Sequence, residues 1–190
     1  MRSLQLPDFD LLVIGETYVE MRCKGEIDVA DSYEKGVGGA DIAVAAAASR
    51  LGSAVVLISA IGRDPFHNFL RDGLAEHGLN IDHVITTQGY NGMYFCSSRH
   101  PHDREYLYHR PGNSAINITP AMIYDSLVDD CKIVYASAEL QSVSKAARHT
   151  VFKALHYAHS NNVMVAYDPN LRLQRWGLDD AKESLWGVLP

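Results

Sequence analysis

A chain of 190 residues with 47% hydrophobic and 21% charged residues has the composition of an ordinary globular domain and is long enough to bury a substantial core. A net charge of −6 without a Lys/Arg cluster argues against a nucleic-acid-binding protein, and the apolar runs are too short for a membrane span. Three widely spaced cysteines form neither a disulfide framework nor a zinc pattern, and the first ten residues lack the apolar stretch of a signal peptide, so we expect a cytoplasmic protein.

Buried strands and helices alternate along the chain. The first apolar run, "LLVIG" at 11–15, is typical of a strand buried on both faces, and the polar–apolar alternation after it predicts shorter, half-exposed strands. An alanine-rich helix is predicted from about 40 to 51, with Gly52 as its stop. The remaining elements are a last helix that begins near Leu178 and strands at 54–62, 81–86, 133–137 and 163–168.

Two further helices carry recognisable start signals. Asp64 is placed to cap one of them, with Pro65 at its first helical position and Gly78 as its end, and Ser142 is placed to cap the other. Apolar residues at helical spacing give each helix one face for burial. These faces consist of Phe66, Phe69, Leu70 and Leu74 in the first helix, and of Val143, Ala147, Val151, Ala154, Leu155 and Ala158 in the second.

This order of elements predicts one α/β domain, in which a parallel sheet lies between two layers of helices. Two segments, at about 17–35 and 92–110, interrupt the alternation with half-exposed strands. We expect them to form an antiparallel flap outside the main sheet. The sequence contains no repeats, low-complexity tracts or linker, so residues 1–190 are expected to form a single unit.

Three segments are expected at the carboxyl ends of the parallel strands, where open α/β sheets bind ligands. They are "GETYVE" after the first strand, the Gly38–Gly39 pair before the alanine-rich helix, and "DPNLR" after the strand that ends at Tyr167. The glycine pair is not a dinucleotide fingerprint, because "GVGGAD" lacks the third glycine of G-x-G-x-x-G and follows no buried strand. It is not a P-loop either, since no G-K-[ST] follows.

Each of these segments admits a structural and a functional interpretation. Gly38 and Gly39 could form a simple tight turn, or they could leave main-chain N–H groups uncovered at a helix N-terminus, where these groups can bind hydroxyls or an anion. Asp168, Asn170 and Arg172 could belong to a surface turn, or Arg172 could hold a carboxylate or sugar oxygens with its planar guanidinium.

A tyrosine-rich strand offers a third candidate surface. Because side chains alternate along a strand, Tyr106, Tyr108 and Arg110 share one face of "REYLYHR". That face could line a lid over a ligand. The alternative, favoured when the stretch is taken alone, is cross-strand packing in a two-stranded flap.

The histidines do not predict a metal site. His156 and His159 are three residues apart on a helix, but no carboxylate or cysteine joins them at ligand spacing. The absence of a G-x-S-x-G pattern argues against a serine hydrolase. We therefore predict no metal ligands and no nucleophilic triad in this chain.

Three stretches resemble, in order and spacing, the signatures of the PfkB/ribokinase-type carbohydrate kinases, most closely the acid-sugar branch typified by 2-keto-3-deoxygluconate kinase. "GGADIAVAAAASRLGSAVVLISAIGRDPF" is similar to the first signature of the family. "YLYHRPGNSA" is similar to the Y-x-R-x-x-S-A lid stretch, and "DPNLRLQRW" is similar to D-x-N-x-R-x-x-x-W. The resemblance covers nearly the whole chain and implies a Rossmann-like, ribokinase-like α/β/α core with a small β lid over a sugar.

The resemblance also implies which residues bind the substrate. The glycine pair would face sugar hydroxyls, the tyrosines would line the lid side, and the two arginines would hold the polar end of the sugar, in one pocket with the glycine main chain. Two arginines on one end of a substrate favour an acid sugar, since each bidentate contact is charge-assisted. The expected substrate-binding residues are Gly38, Gly39, Asp41, Tyr94, Tyr108, Arg110, Asn170 and Arg172.

The cofactors implied for the complete enzyme are ATP and Mg²⁺. However, the N-x-x-E stretch that the family places near metal and phosphates, and the G-A-G-D stretch that supplies its anion hole and catalytic base, do not occur here. We therefore expect a partial domain whose C-terminal part is missing, which alone binds neither cofactor, contains no catalytic residue and is inactive. The alternative is a non-catalytic sugar-binding or regulatory module of the same fold. A nicotinamide-dependent oxidoreductase is disfavoured by the failed glycine fingerprint.

The expected partner is a small-molecule sugar or sugar acid, with no nucleic acid and no membrane involved. The resemblance further implies that two copies could form a homodimer through the lid.

Overall fold

Two β-sheets organise the chain in a computed structural model that describes residues 6–97, 104–172 and 175–189. The strands are β1 (Phe9–Ile14), β2 (Tyr18–Cys23), β3 (Glu34–Gly38), β4 (Val55–Gly62), β5 (Val84–Thr87), β6 (Gly92–Ser97), β7 (Tyr106–His109), β8 (Cys131–Ser137) and β9 (Met164–Asp168). The helices are α1 (Ala40–Arg50), α2 (His67–Glu76), α3 (Asp125–Asp129), α4 (Ala138–Gln141), α5 (Lys145–Ser160) and α6 (Leu178–Trp186). Two short 3-10 turns, Ser114–Asn117 and Pro120–Met122, precede α3.

The large sheet is parallel throughout, with the strand order β5-β4-β1-β8-β9. Its central strand, β1, supplies both cores, because successive side chains point to opposite faces. Leu12 and Ile14 join the core that contains α5, whereas Leu11 and Val13 join the core that contains residues of α1 and α2. The sheet therefore lies between two helical layers, and the predicted α/β/α fold class is confirmed.

The long helices α2 and α5 bury the faces expected from the sequence. Helix α2 begins at His67, slightly later than expected, and Asp64 caps the preceding turn, since its Oδ1 accepts from the Phe66 N–H at 2.8 Å. Helix α5, with 16 residues, is the longest described, and no helix in the described ranges is long and apolar enough to cross a bilayer. The fully packed positions of the two faces are Leu70, Leu74, Ala147, Val151, Ala154, Leu155 and Ala158.

The start of α5 and the burial of β9 differ from the prediction. Ser144, not Ser142, caps α5, and its hydroxyl accepts from the Ala147 N–H at 3.1 Å. The reason is that the residues after β8 first form the single turn α4, so the long helix begins later. Strand β9 is half-exposed rather than buried, because within the described residues it is an edge strand bonded only to β8.

The small sheet has the strand order β3-β2-β6-β7. Its outer pairs, β2–β3 and β6–β7, are antiparallel, but the central pair β2–β6 is parallel. The expectation of a wholly antiparallel flap is therefore wrong. Strands β2 and β6 follow β1 and β5, which end at the same edge of the large sheet, so both run away from that edge. Residues 98–103 of the predicted flap segment 92–110 lie outside the described residues.

The glycine pair connects β3 to α1 through a close approach of the backbone. Gly39 is the N-cap of α1 with φ 127°, a conformation open essentially to glycine alone. A Cβ at Gly39 would lie 2.4 Å from the carbonyl oxygen of Glu16, and a Cβ at Gly38 would lie 2.4 Å from the Tyr94 hydroxyl oxygen. Packing against backbone thus requires glycine at position 39, and Gly38 leaves room for the Tyr94 ring, at the point where the two sheets meet.

Gly39→Ala should destabilise the fold far more than Gly52→Ala. Both residues have positive φ, but a Cβ at Gly52 meets no atom within 4 Å, whereas a Cβ at Gly39 collides with backbone. We expect a loss in the free energy of unfolding of about 1–2 kcal/mol for Gly52→Ala, from backbone strain alone, and at least about 2 kcal/mol more for Gly39→Ala. Urea unfolding followed by circular dichroism measures both, and equal losses would contradict the packing argument.

Candidate functional site

Charged and polar side chains converge where the strands of the large sheet end beneath the small sheet. Glu16 follows β1, Glu139 lies in α4 just after β8, and Asn170 follows β9. Arg110 follows β7 of the small sheet, and Arg175 precedes α6. Glu16 and Glu139 are buried, with 1% and 6% of their surface exposed, so each requires a counter-charge.

Glu16 and Arg110 form the first of two buried ion pairs. The Nε of Arg110 donates to Oε1 and Oε2 of Glu16 at 3.2 and 3.0 Å, and Nη2 lies 2.8 Å from Oε2. Asn113 adds a hydrogen bond from Nδ2 to Oε1 at 2.6 Å. This bidentate geometry is the arrangement in which a guanidinium and a carboxylate interact most strongly.

The other donors of Arg110 tie the end of β7 to α4. Its Nη1 donates to the Ser142 hydroxyl at 3.0 Å, and its Nη2 donates to the carbonyl of Glu139 at 2.7 Å. Burial alone would lower the pKa of Arg110, but the Glu16 carboxylate raises it overall. Arg110 is therefore a charged, fully engaged cross-link between the two sheets, and not an arginine with an unused guanidinium.

Glu139 and Arg175 form the second buried ion pair. Nη1 of Arg175 contacts Oε1 of Glu139, while Nδ2 of Asn170 donates to Oε2 at 3.0 Å. The guanidinium of Arg175 lies 3.9 Å from the ring centroid of Tyr108 and 5.8 Å from that of Tyr18, which adds cation–π attraction. Within the ranges that the structure describes, Nε and Nη2 of Arg175 are buried and have no hydrogen-bond partner.

Four tyrosines cluster on the face of the small sheet that contacts Arg175. This tyrosine face consists of Tyr18, Tyr94, Tyr106 and Tyr108. Ring centroids are 5.5 Å apart for Tyr18 and Tyr94, 5.4 Å for Tyr94 and Tyr108, and 6.0 Å for Tyr106 and Tyr108, distances typical of stabilising aromatic pairs. The Tyr94 hydroxyl donates to Glu20 Oε1 at 2.9 Å. Burial raises the pKa of Tyr94, so its hydroxyl stays protonated at neutral pH.

Asp41 lies beneath the same region in the first turn of α1. Its side chain is buried, and among the described residues neither carboxylate oxygen has a hydrogen-bond partner of good geometry. Desolvation, assisted by the negative charge of Glu139, raises the pKa of Asp41 to about 8, although Ser137 and the backbone of Glu16 counteract part of the shift. The carboxyl group is therefore mostly protonated at pH 7.

The structure brings most of the expected binding residues together. Gly38 packs on Tyr94, which contacts Tyr108, and Arg110 and Asn170 join the two ion pairs below. The other members, Gly39 and Asp41, lie at the adjoining start of α1. Arg172 differs, because it is exposed; its charge acts on Tyr108, whose pKa it helps to lower against the larger effect of burial.

Glu16, Glu139 and Arg175 were missed by sequence reasoning. Glu16 lies in "GETYVE" and Glu139 lies two residues after the buried run "IVYAS", so an acid close to the end of a buried parallel strand was the available signal. Arg175 lies inside "DPNLRLQRW" but at a position where the family pattern specifies no residue. Its burial depends on tertiary packing, which no pattern in the sequence predicts.

A cavity of about 300 Å³ opens beside the two arginines. It is lined by Tyr108, Arg110, Pro111, Gly112, Ile116, Ser142, Val143 and Arg175. The described part of the chain contains no cluster of three His, Cys, Asp or Glu side chains that could hold a metal ion. His156 instead makes a hydrogen bond through Nε2 to the carbonyl of Gly187 at 2.7 Å.

The family model for pfkB family carbohydrate kinases matches residues 8–188. The chain belongs to this family. It is 27% identical over 172 residues to the 5-dehydro-2-deoxygluconokinase of Bacillus thuringiensis (strain Al Hakam), covering 88% of this chain and 52% of that protein. It is 29% identical over 162 residues to fructokinase-2 of Solanum habrochaites, covering 84% and 49%. The PfkB chain thus spans about half the length of the curated relatives it matches.

Solved structures of kinases share the fold of this chain. The 2-dehydro-3-deoxygluconokinase of Thermotoga maritima superimposes with a TM-score of 0.86 at 19% identity, covering 94% of this chain and 56% of the other. An uncharacterised sugar kinase of Pyrococcus horikoshii in complex with ATP superimposes with a TM-score of 0.81 at 25% identity, covering 94% and 58%. The architecture of the PfkB chain is therefore that of a sugar kinase over the part it spans.

Removing one partner of the Glu16–Arg110 pair should be strongly destabilising. Glu16→Gln leaves Arg110 buried without a counter-charge, and we expect the free energy of unfolding to fall by about 3–5 kcal/mol. The double variant Glu16→Gln/Arg110→Gln should lose clearly less than the sum of the single variants, because it leaves no unpaired charge. Lys132→Gln, which breaks the exposed pair with Asp10, is the control and should lose less than about 1 kcal/mol. Additive losses in urea unfolding would contradict the pairing.

Asp41 should make stability fall as the pH rises. The folded protein keeps the Asp41 proton up to a pKa of about 8, whereas the unfolded chain releases it near 3.8, so the stabilisation present below the lower value is lost through the higher one. Asp41→Asn cannot ionise. We expect its stability relative to the original chain to grow by about 2–4 kcal/mol between pH 5 and pH 8. Denaturant titrations at several pH values test this, and a pH-independent difference would refute the raised pKa.

Proposed function

We propose that this chain is the substrate-binding part of an ATP-dependent carbohydrate kinase that phosphorylates a hydroxyl of a sugar or sugar acid. The candidate substrates resemble 2-keto-3-deoxygluconate or fructose. Relatives named for keto-deoxygluconate and fructose phosphorylation support this range. The observation that carries the proposal is the meeting of the tyrosine face with the ion-paired Arg110 and Arg175 at the carboxyl ends of the parallel strands, next to the Gly38–Gly39 turn.

The proposed site offers the contacts that a sugar requires. Tyrosine rings such as Tyr94 and Tyr108 present flat faces on which the C–H groups of a sugar can pack. Main-chain N–H groups at the start of α1 and polar side chains such as Asn170 would bind hydroxyls. Arg172, exposed beside this region, would reach the polar end of the substrate in the arrangement implied by the sequence.

ATP and Mg²⁺ are proposed for the complete enzyme only. The described residues hold no cluster of acidic side chains fit for Mg²⁺, and the sequence contains neither the N-x-x-E nor the G-A-G-D stretch of the family. The stretches that the family places at the metal and the phosphates are thus not among these 190 residues. We propose that the 190-residue chain binds sugar without turning it over, since phosphoryl transfer depends on groups that neutralise and position the phosphates.

A non-catalytic sugar-binding or regulatory module of the same fold is the second candidate. A reading frame that continues through a G-A-G-D stretch, with kinase activity in the longer product, supports the enzyme. A stop codon directly after Pro190 supports the module.

Sugar binding should raise the melting temperature of the chain. Fructose and 2-dehydro-3-deoxygluconate are tested by thermal shift, and at 100 times its Kd a bound sugar adds about 2.7 kcal/mol of stability. Tyr108→Ala should abolish the shift, whereas Tyr124→Ala, which removes an exposed tyrosine at the N-cap of α3, should retain it. No shift with any sugar, or a shift that survives Tyr108→Ala, contradicts the proposed site. In a coupled assay with Mg-ATP we expect no turnover.

A further inference from the structure

The side chain of Arg175 is buried, but only part of its guanidinium is paired. Only 5% of its side chain is exposed, although it lies outside any strand or helix. Nη1 is occupied by Glu139, but the buried Nε and Nη2 have no acceptor of good geometry among the described residues. A charged donor that is desolvated without an acceptor is costly, so these two N–H groups indicate a ligand. Arg175 also lines the cavity of about 300 Å³, which has room for a small sugar.

The ring of Tyr108 fixes the direction of these donors. The Arg175 guanidinium lies 3.9 Å from the ring centroid, and its Nη1 is held by Glu139. A planar group held at one face and one end presents its remaining edge, Nε and Nη2, in a defined orientation. Two parallel N–H donors suit two neighbouring oxygens of one ligand.

The charges of the site are already balanced. Glu139 neutralises Arg175 and Glu16 neutralises Arg110, two buried anions against two buried cations. Outside the buried pairs, the exposed Asp168 and Arg172 carry one negative and one positive charge, so they add no net charge to the site. A bound carboxylate would therefore add an uncompensated negative charge to a desolvated site, whereas hydroxyl or carbonyl oxygens accept hydrogen bonds without adding charge.

We propose that Arg175 is the substrate-recognition arginine of the sugar site, and that its Nε and Nη2 donate to uncharged oxygens, so that the site prefers a neutral sugar to a sugar acid. This inference rests on the proposed function. It replaces the assignment of that role to Arg172, and it reverses the preference for an acid sugar implied by the sequence.

Binding measurements with a neutral and an acidic probe test the proposal. Isothermal titration of the 190-residue chain at pH 7 compares D-fructose with 2-dehydro-3-deoxygluconate, and we expect the lower Kd for fructose. Arg175→Gln should raise the Kd for fructose by about 10- to 100-fold, the effect of losing hydrogen bonds from a charged donor. Arg71→Gln, at an exposed position of α2, is the matched control and should leave both Kd values unchanged.

Glu139 provides a second, independent arm. Glu139→Gln removes the anion that neutralises Arg175, so the affinity for the acid should improve at least about 10-fold relative to fructose. Arg175→Gln leaves Glu139 buried without a counter-charge. If that single variant unfolds, the double variant Glu139→Gln/Arg175→Gln, which leaves no unpaired charge, replaces it in the binding measurement. Its Kd for fructose should be raised as in Arg175→Gln.

Three results would overturn the inference. They are tighter binding of the acid by the original chain, a fructose Kd unchanged by loss of Arg175, and a loss of sugar binding in Arg172→Gln instead of the Arg175 variants. In each of these cases a sugar still binds and the proposed function stands. Failure of both probes to bind the original chain rejects the proposed function, and this inference with it.

Discussion

The arrangement of the site depends on one buried ion pair, between Glu16 and Arg110. Glu16 extends the central strand of the large sheet and Arg110 follows the last strand of the small sheet, so the pair fixes the position of one sheet relative to the other. Its cost of desolvation is high, and it is compensated only because Asn113, Ser142 and the carbonyl of Glu139 satisfy the remaining groups. Such a pair specifies a geometry more than it adds net stability.

The parallel sheet explains why this geometry produces a site. Strands β1, β8 and β9 end at one edge, and each places a polar residue there, Glu16, Glu139 and Asn170. Strands β2 and β6 leave the same edge to build the small sheet, whose tyrosines close over these polar groups. A ligand in this position would contact rigid elements on one side and a separate sheet on the other, an arrangement that can orient a hydroxyl group for reaction.

The sequence predicts the parts of this molecule that repeat a simple period, and misses the parts that depend on tertiary contact. Apolar runs separated by helical patterns predict the parallel sheet and the two helical layers, because burial on both faces leaves few polar positions in β1, β4 and β8. The start of α5 was misplaced because Ser142 and Ser144 both suit a cap, and only the intervening turn α4 decides between them. The charged site was predicted incompletely, since a motif marks Arg172 while packing buries Arg175.

The central claim is that a sugar binds where the glycine turn, the tyrosine face and the two ion pairs meet. Hydrogen–deuterium exchange of the 190-residue chain, with and without a saturating neutral sugar, tests it most directly. We predict slower exchange on sugar binding in residues 36–42, 92–97, 106–113 and 139–142, with little change in the outer half of α5. Protection confined to α5 and β9, or none in the segments named while the sugar is demonstrably bound, would contradict the account.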